Sequence, residues 1–149
     1  MFRLLLFIFG YFLVPSPAMA GTKNPFRVEA TNAEVVPGEA GAVSVIIRVP
    51  NEHHLYKDMM SVGVLKSESV VVGEAVFPPG MKKADPADPT SEREQYDMDV
   101  VIELPVTGPS KPGEYPITLL VEYQGCKKSL CWMPQTEQVD ATVKVVEKK

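Results

Sequence analysis

Cys126 and Cys131 are the only two cysteines of a 149-residue chain, and four residues separate them. Two thiols at this spacing support three chemistries: thiol–disulfide exchange, a local structural disulfide, or soft-metal binding. In the chain-entropy picture, closing so short a loop contributes only about 2 kcal/mol, against roughly 4–5 for a hundred-residue loop. A bond meant as a staple would tie distant strands together instead. Lys127 and Lys128 lie between the cysteines, where their charge favours a thiolate. Trp132 and Met133 follow at once and offer apolar surface for docking or shielding. These features favour a redox-active pair, with a structural bond and metal binding left open.

The other ligand types weigh against a metal. His53 and His54 are adjacent and far from the cysteines, a spacing that fits no zinc module. Met59, Met60, Met81, Met98 and Met133 raise a Cu(I) reading, because thioethers and thiolates suit that ion. Met98 falls on the inward face of an alternating segment, and Met59 and Met60 point to opposite faces of a strand. Copper handling is therefore the third reading, and no metal or other cofactor is expected.

Residues 1–20 read as an export signal. Arg3 precedes an apolar run over 4–14, Pro15 and Pro17 break it, and Ala18-Met19-Ala20 is a small-x-small cleavage site. As a helix that run reaches about 16 Å, roughly half a bilayer core, so it is too short to anchor the chain. No cysteine follows the cleavage point, so a lipid anchor is not expected either. The mature protein is read as residues 21–149, one soluble exported domain in a disulfide-permissive compartment. The default state of Cys126 and Cys131 there is a bond.

Fifteen Lys and Arg against nineteen Asp and Glu give a net charge of −4, with no basic stripe. Nucleic-acid binding is therefore not expected. Fourteen prolines and ten glycines argue against a helical bundle.

Period-two alternation dominates the mature chain. Tyr96, Met98, Val100, Ile102, Leu104 and Val106 share one face of residues 96–106. Residues 115–123 repeat the pattern through Tyr115, Ile117, Leu119, Val121 and Tyr123, and residues 139–145 through Val139, Ala141, Val143 and Val145. Further strands are expected at 26–31, 42–49, 59–65 and 70–77, separated by Pro- and Gly-bearing turns. Such spacing predicts an all-β, mostly antiparallel β-sandwich. The cysteines then sit at the tip of a strand-to-strand connection, at the surface.

Tyr123-Gln124-Gly125-Cys126, followed by Cys131-Trp132-Met133-Pro134-Gln135-Thr136, resembles the N-terminal periplasmic domain of the thiol:disulfide interchange protein DsbD. His54-Leu55-Tyr56-Lys57-Asp58 is similar to that family's Tyr-Leu-Tyr segment, and Gln95-Tyr96 falls where the family has a corresponding strand. The resemblance covers nearly all of residues 21–149 and is specific at the cysteines. It implies an immunoglobulin-like sandwich, in agreement with the alternation above, and a dithiol carrier of the periplasm.

By that resemblance, Cys131 holds the mixed disulfide with a partner and Cys126 resolves it. The implied partners are thioredoxin-like proteins, such as a disulfide isomerase or those of cytochrome c maturation. A membrane-embedded electron donor would act in trans, and the domain is expected to be a monomer. Tyr56 and Tyr123 are expected as neighbours of the cysteines. Asp85 or Asp88 would stand for the acidic residues of a cap loop that raise a thiol's pKa, the other reading being a solvated, proline-stiffened loop. Here the matching stretch, residues 82–91, has no aromatic residue, and Met133 replaces one of two family prolines. Trp132 is then the candidate shield, unless the pair is open. His53 and His54 are read as a solvated turn. The competing function is a non-catalytic β-sandwich interaction module whose local disulfide stiffens a docking loop.

Overall fold

The computed structural model describes residues 23–85 and 88–148; the expected export signal at 1–20 lies outside them. The described chain forms three sheets. The first runs β1 (Arg27–Ala30), β3 (Ala40–Arg48), β9 (Val100–Thr107), β6 (Val71–Val72). The second runs β2 (Ala33–Val35), β13 (Gln135–Val145), β10 (Gly113–Tyr123), β5 (Ser61–Ser67). These two share one apolar core and form the immunoglobulin-like sandwich. The third runs β12 (Leu130–Cys131), β11 (Gly125–Lys127), β4 (His53–Tyr56), β8 (Asp88–Tyr96), β7 (Met81–Asp85). Every pairing is antiparallel except β2 with β13.

Alternation becomes burial in the long strands. Val100, Ile102, Leu104 and Val106 of β9 point inward, as do Ile117, Leu119, Val121 and Tyr123 of β10. Ala141, Val143 and Val145 of β13 complete that side. Each buried aliphatic side chain contributes roughly 1.5–3 kcal/mol relative to exposure, which is what holds the two sheets together.

The expected strand over residues 96–106 is two strands in different sheets. Tyr96 ends β8, residues 97 and 98 bend, and Val100 starts β9. The Asp99 carboxylate fixes the bend by accepting from the Val49 backbone N–H and the Arg48 guanidinium, both at 2.9 Å. Met98 is consequently 74% exposed, not core. Met59 closes a 3-10 turn, Lys57–Met59, ahead of β5, rather than starting that strand. His53 and His54 are in β4, not in a solvated turn, and residues 82–91 are mostly the β7–β8 hairpin. The segment 70–77 keeps only the two residues of β6 and an isolated bridge from Val76 to Glu103.

The third sheet is seated on the sandwich by Leu55 and Tyr96, which join the core cluster, and by a close approach at Gly125. The Phe26 ring lies under Gly125, where an added Cβ would come within 2.0 Å of Phe26 Cε2. Phe26 also meets Tyr123, His53 and Trp132 edge-on, with ring centroids 5.9, 5.6 and 6.0 Å away. Gly125→Ala must push this ring aside, and is expected to cost about 1–3 kcal/mol, the usual price of overpacking. Chemical denaturation checks it: a lower midpoint at unchanged m is expected.

Candidate functional site

Three residues of β11 sit between β4 and β12, and the register decides what surrounds the cysteines. Cys126 is opposite Cys131 on one side and opposite His54 on the other. Antiparallel partners present their side chains on the same face with Cβ atoms about 4.5–5.5 Å apart. Cys131, Cys126 and His54 therefore form a row across three strands. The cysteines are joined in a disulfide with Cα atoms 4.0 Å apart. Lys128 turns the chain between β11 and β12 at φ 55°, a left-handed conformation usually left to Gly or Asn.

The two sulfur-bearing residues are unequal. Cys126 is 0% exposed, whereas Cys131 lies at the surface between exposed Leu130 and half-buried Trp132. A reagent approaching from solvent meets Cys131 first.

His54 and Tyr56 share the cysteine face of β4, their rings edge-on at 4.9 Å. Arg93 of β8 lies over the Tyr56 ring, 3.7 Å from its centroid, as a cation–π cover. The same guanidinium meets Asp58 at 2.6 Å and Asp85 at 3.8 Å. Gln95, register partner of Tyr56, is buried and donates to Asp97 at 3.1 Å. Asp97 also pairs with Lys83 of β7. An open cleft of about 480 Å³ lies beside this row, walled by His54, Lys83, Ala84, Gln95 and Lys128.

Burial pushes the His54 imidazole below its ordinary pKa, with Asp97 pulling the other way. Its Nε2 is buried without a hydrogen-bond partner. Burial likewise pushes the Tyr56 phenol up, and Asp85 adds to that. Tyr123 is pushed up by burial and by its bond to Glu137.

The expected neighbours separate into two groups. Tyr56 is on the cysteine face. Tyr123 is instead a core anchor: its hydroxyl donates to Glu137 at 2.5 Å and accepts from the Asn24 amide at 2.7 Å. Trp132 is not a shield over the disulfide, because it packs toward the core against Phe26 and His53, away from the face of Cys126 and His54. Asp88 is exposed at the far end of the β7–β8 hairpin, where its carboxylate accepts from the Thr90 N–H and hydroxyl. Those bonds hold it below the ordinary carboxylate range. Asp85, not Asp88, is the hairpin acid beside Tyr56. His54, Gln95 and Arg93 were the unforeseen members of the site; the alternation His54-Leu55-Tyr56 was the available signal for the first.

Fold and site together define a class: an immunoglobulin-like sandwich carrying a disulfide with one buried and one exposed cysteine on an added sheet. The chain belongs to the family described as thiol:disulfide interchange protein DsbD, N-terminal, whose profile matches residues 23–143. Among solved structures it is similar to the reduced DsbD N-terminal domain of Neisseria meningitidis, at 20% identity and TM-score 0.51, over 66% of this chain and 74% of that one. It is also similar to a complex between the DsbD and PilB N-terminal domains of the same organism, at 18% identity and TM-score 0.59, over 83% and 87%. A cohesin–dockerin complex of Clostridium thermocellum shares the fold at 15% identity and TM-score 0.50, over 83% and 100%. No curated protein matches the chain. No helix among the described residues is long and apolar enough to cross a membrane.

Two outcomes follow from the geometry. After reduction, iodoacetamide is expected to modify Cys131 about tenfold or more faster than Cys126, since reactivity follows exposure; peptide mass mapping over time checks this. The second concerns pH. The folded chain binds a proton at His54 less readily than the unfolded chain, whose histidine titrates near about 6.5. Stability should therefore fall as pH drops below about 6.5 toward the depressed folded value, and His54→Gln should flatten that slope. Denaturant midpoints at closely spaced pH values across this window measure it.

Proposed function

We propose that this protein is an exported periplasmic dithiol–disulfide carrier working through Cys126 and Cys131. The difference in exposure between the two cysteines carries the reading. A partner thiolate attacks the Cys131 sulfur, the Cys126–Cys131 bond breaks, and Cys126 leaves as a thiolate. A second partner thiolate then attacks its own sulfur in the mixed disulfide, which releases reduced Cys131 and leaves the donor oxidised. Two electrons have entered the domain. Delivery runs the same steps in reverse: the Cys131 thiolate attacks a partner disulfide, and Cys126 displaces the partner.

Family membership supports exchange with other proteins, and the complex of a DsbD N-terminal domain with a PilB N-terminal domain supports direct protein–protein transfer. Thioredoxin-like proteins are the partner class, with a membrane-embedded donor upstream and a disulfide isomerase or cytochrome c maturation protein downstream. The signal at residues 1–20 supports export, and the domain acts as a monomer. Tyr56, under Arg93, forms a fixed wall beside the pair, while exposed Leu130 and Met133 flank Cys131 as apolar docking surface.

Single-cysteine variants test the assignment. Incubated with a thioredoxin-like domain that retains only its attacking cysteine, in the presence of mild oxidant, Cys126→Ser should accumulate a mixed disulfide through Cys131. Cys131→Ser should form little. Equal trapping by both variants would overturn the assigned roles. A reduction potential between about −180 and −270 mV is expected for a working carrier. A value below about −300 mV would mark a structural bond and leave the interaction-module reading.

A further inference from the structure

We infer that His54 is the proton acceptor and donor for the Cys126 thiol as the disulfide opens and closes. The inference rests on the exchange reading above and adds a residue to its chemistry. Cys126 is wholly buried, and a thiolate there has no water to solvate it. The resolving step nonetheless requires one, because the thiolate is the nucleophile. A proton acceptor must therefore be within the buried layer. His54 is the register partner of Cys126, on the same face of the adjoining strand.

Its Nε2 is buried with no hydrogen-bond partner while the cysteines are joined. A disulfide sulfur has no proton to donate. Once the pair is reduced, the Cys126 S–H supplies the missing donor, so the orphan nitrogen gains its partner in the dithiol state. A buried polar atom left unpaired is costly, which is why such an atom in a native fold calls for a purpose.

In the resolving step the imidazole takes the Cys126 proton and becomes imidazolium. The new thiolate attacks the Cys131 sulfur, the Cys131–partner bond breaks, and the electron pair leaves on the partner's sulfur. The imidazolium then gives its proton to that leaving thiolate or to solvent. In the opposite direction, His54 takes up a proton from solvent as the bond opens and passes it to the leaving Cys126 thiolate. His53 and Tyr56 of β4, Arg93 of β8 and Asp97 of the following bend set the local field. Lys83 of β7, with Glu52 and Lys128, completes the charged surroundings of the cleft. The cationic groups and burial keep the ring neutral and ready to accept, and Asp97 stabilises the imidazolium once it forms.

The test uses the reduced protein and an aryl disulfide that releases a coloured thiolate. Attack by Cys131 releases the first aryl thiolate in a concentration-dependent phase. Attack by Cys126 releases the second in a concentration-independent phase. His54→Gln is expected to slow the second phase about a hundredfold or more at neutral pH, the lower end of the usual range for lost general-base catalysis. The first phase should change less than about twofold, and the histidine-range inflection of the second should vanish. An unchanged second phase, or equal slowing of both, overturns the role. The unsubstituted protein gives an independent readout. The His54 imidazole, followed by NMR, should titrate with different midpoints in the oxidised and reduced forms; identical midpoints overturn the inference. If neither aryl thiolate is released, the exchange reading fails and this inference with it.

Discussion

The contact between Phe26 and Gly125 governs the rest of the site. A side chain on residue 125 would occupy the space of the Phe26 ring, so only glycine lets β11 settle against the sandwich. The same ring touches His53, Tyr123 and Trp132, drawing β4, the end of β10 and the segment after β12 into one aromatic cluster. Interiors are close-packed, and a rigid ring in such a cluster leaves little room for sliding. The strand carrying Cys126 is thereby held in register with the strand carrying His54, and the row of Cys131, Cys126 and His54 inherits that precision.

The disulfide itself adds little to this frame. It spans a short loop and therefore restrains the unfolded chain only slightly. The β10–β13 and β3–β9 pairings already support the sandwich through long registers of inward aliphatic side chains. Opening the bond leaves those contacts untouched. For the dithiol carrier proposed above, this keeps the redox bond out of the domain's stability. The sandwich does not specify that role, since a cohesin–dockerin complex shares the architecture. The proposed role rests on the cysteine strand and its neighbours.

The site's outer wall is built from charge. Arg93 covers Tyr56 and is itself held by Asp58 and Asp85, while Lys83 is held by Asp97. Exposed ion pairs of this kind contribute little to stability individually. Their effect here is positional: they keep the β7–β8 hairpin alongside β4 and set the field around His54. The cysteine face is left open at Cys131 rather than covered by an aromatic ring, with Trp132 committed to the core side.

The sandwich was legible in the sequence, as was the pairing of Cys126 with Cys131. Alternation over β9, β10 and β13 is a local period-two signal, and burial of one face follows from it directly. Two cysteines between such strands left exchange, a structural bond and metal binding open, and the resemblance of the Gly125-Cys126 and Cys131-Trp132 segments to a known family favoured exchange. The tertiary structure alone decided which groups meet. It divided residues 96–106 at Asp99, because that carboxylate binds Arg48 and Val49 of a distant strand. It paired residues 81–85 with residues 88–96, whose charged side chains carry no apolar alternation to announce a strand. It moved His54 from an expected turn into the layer beside Cys126, and buried one cysteine while exposing the other. Each of these depends on pairing between segments far apart in the chain, where register is set by packing and no local pattern records it.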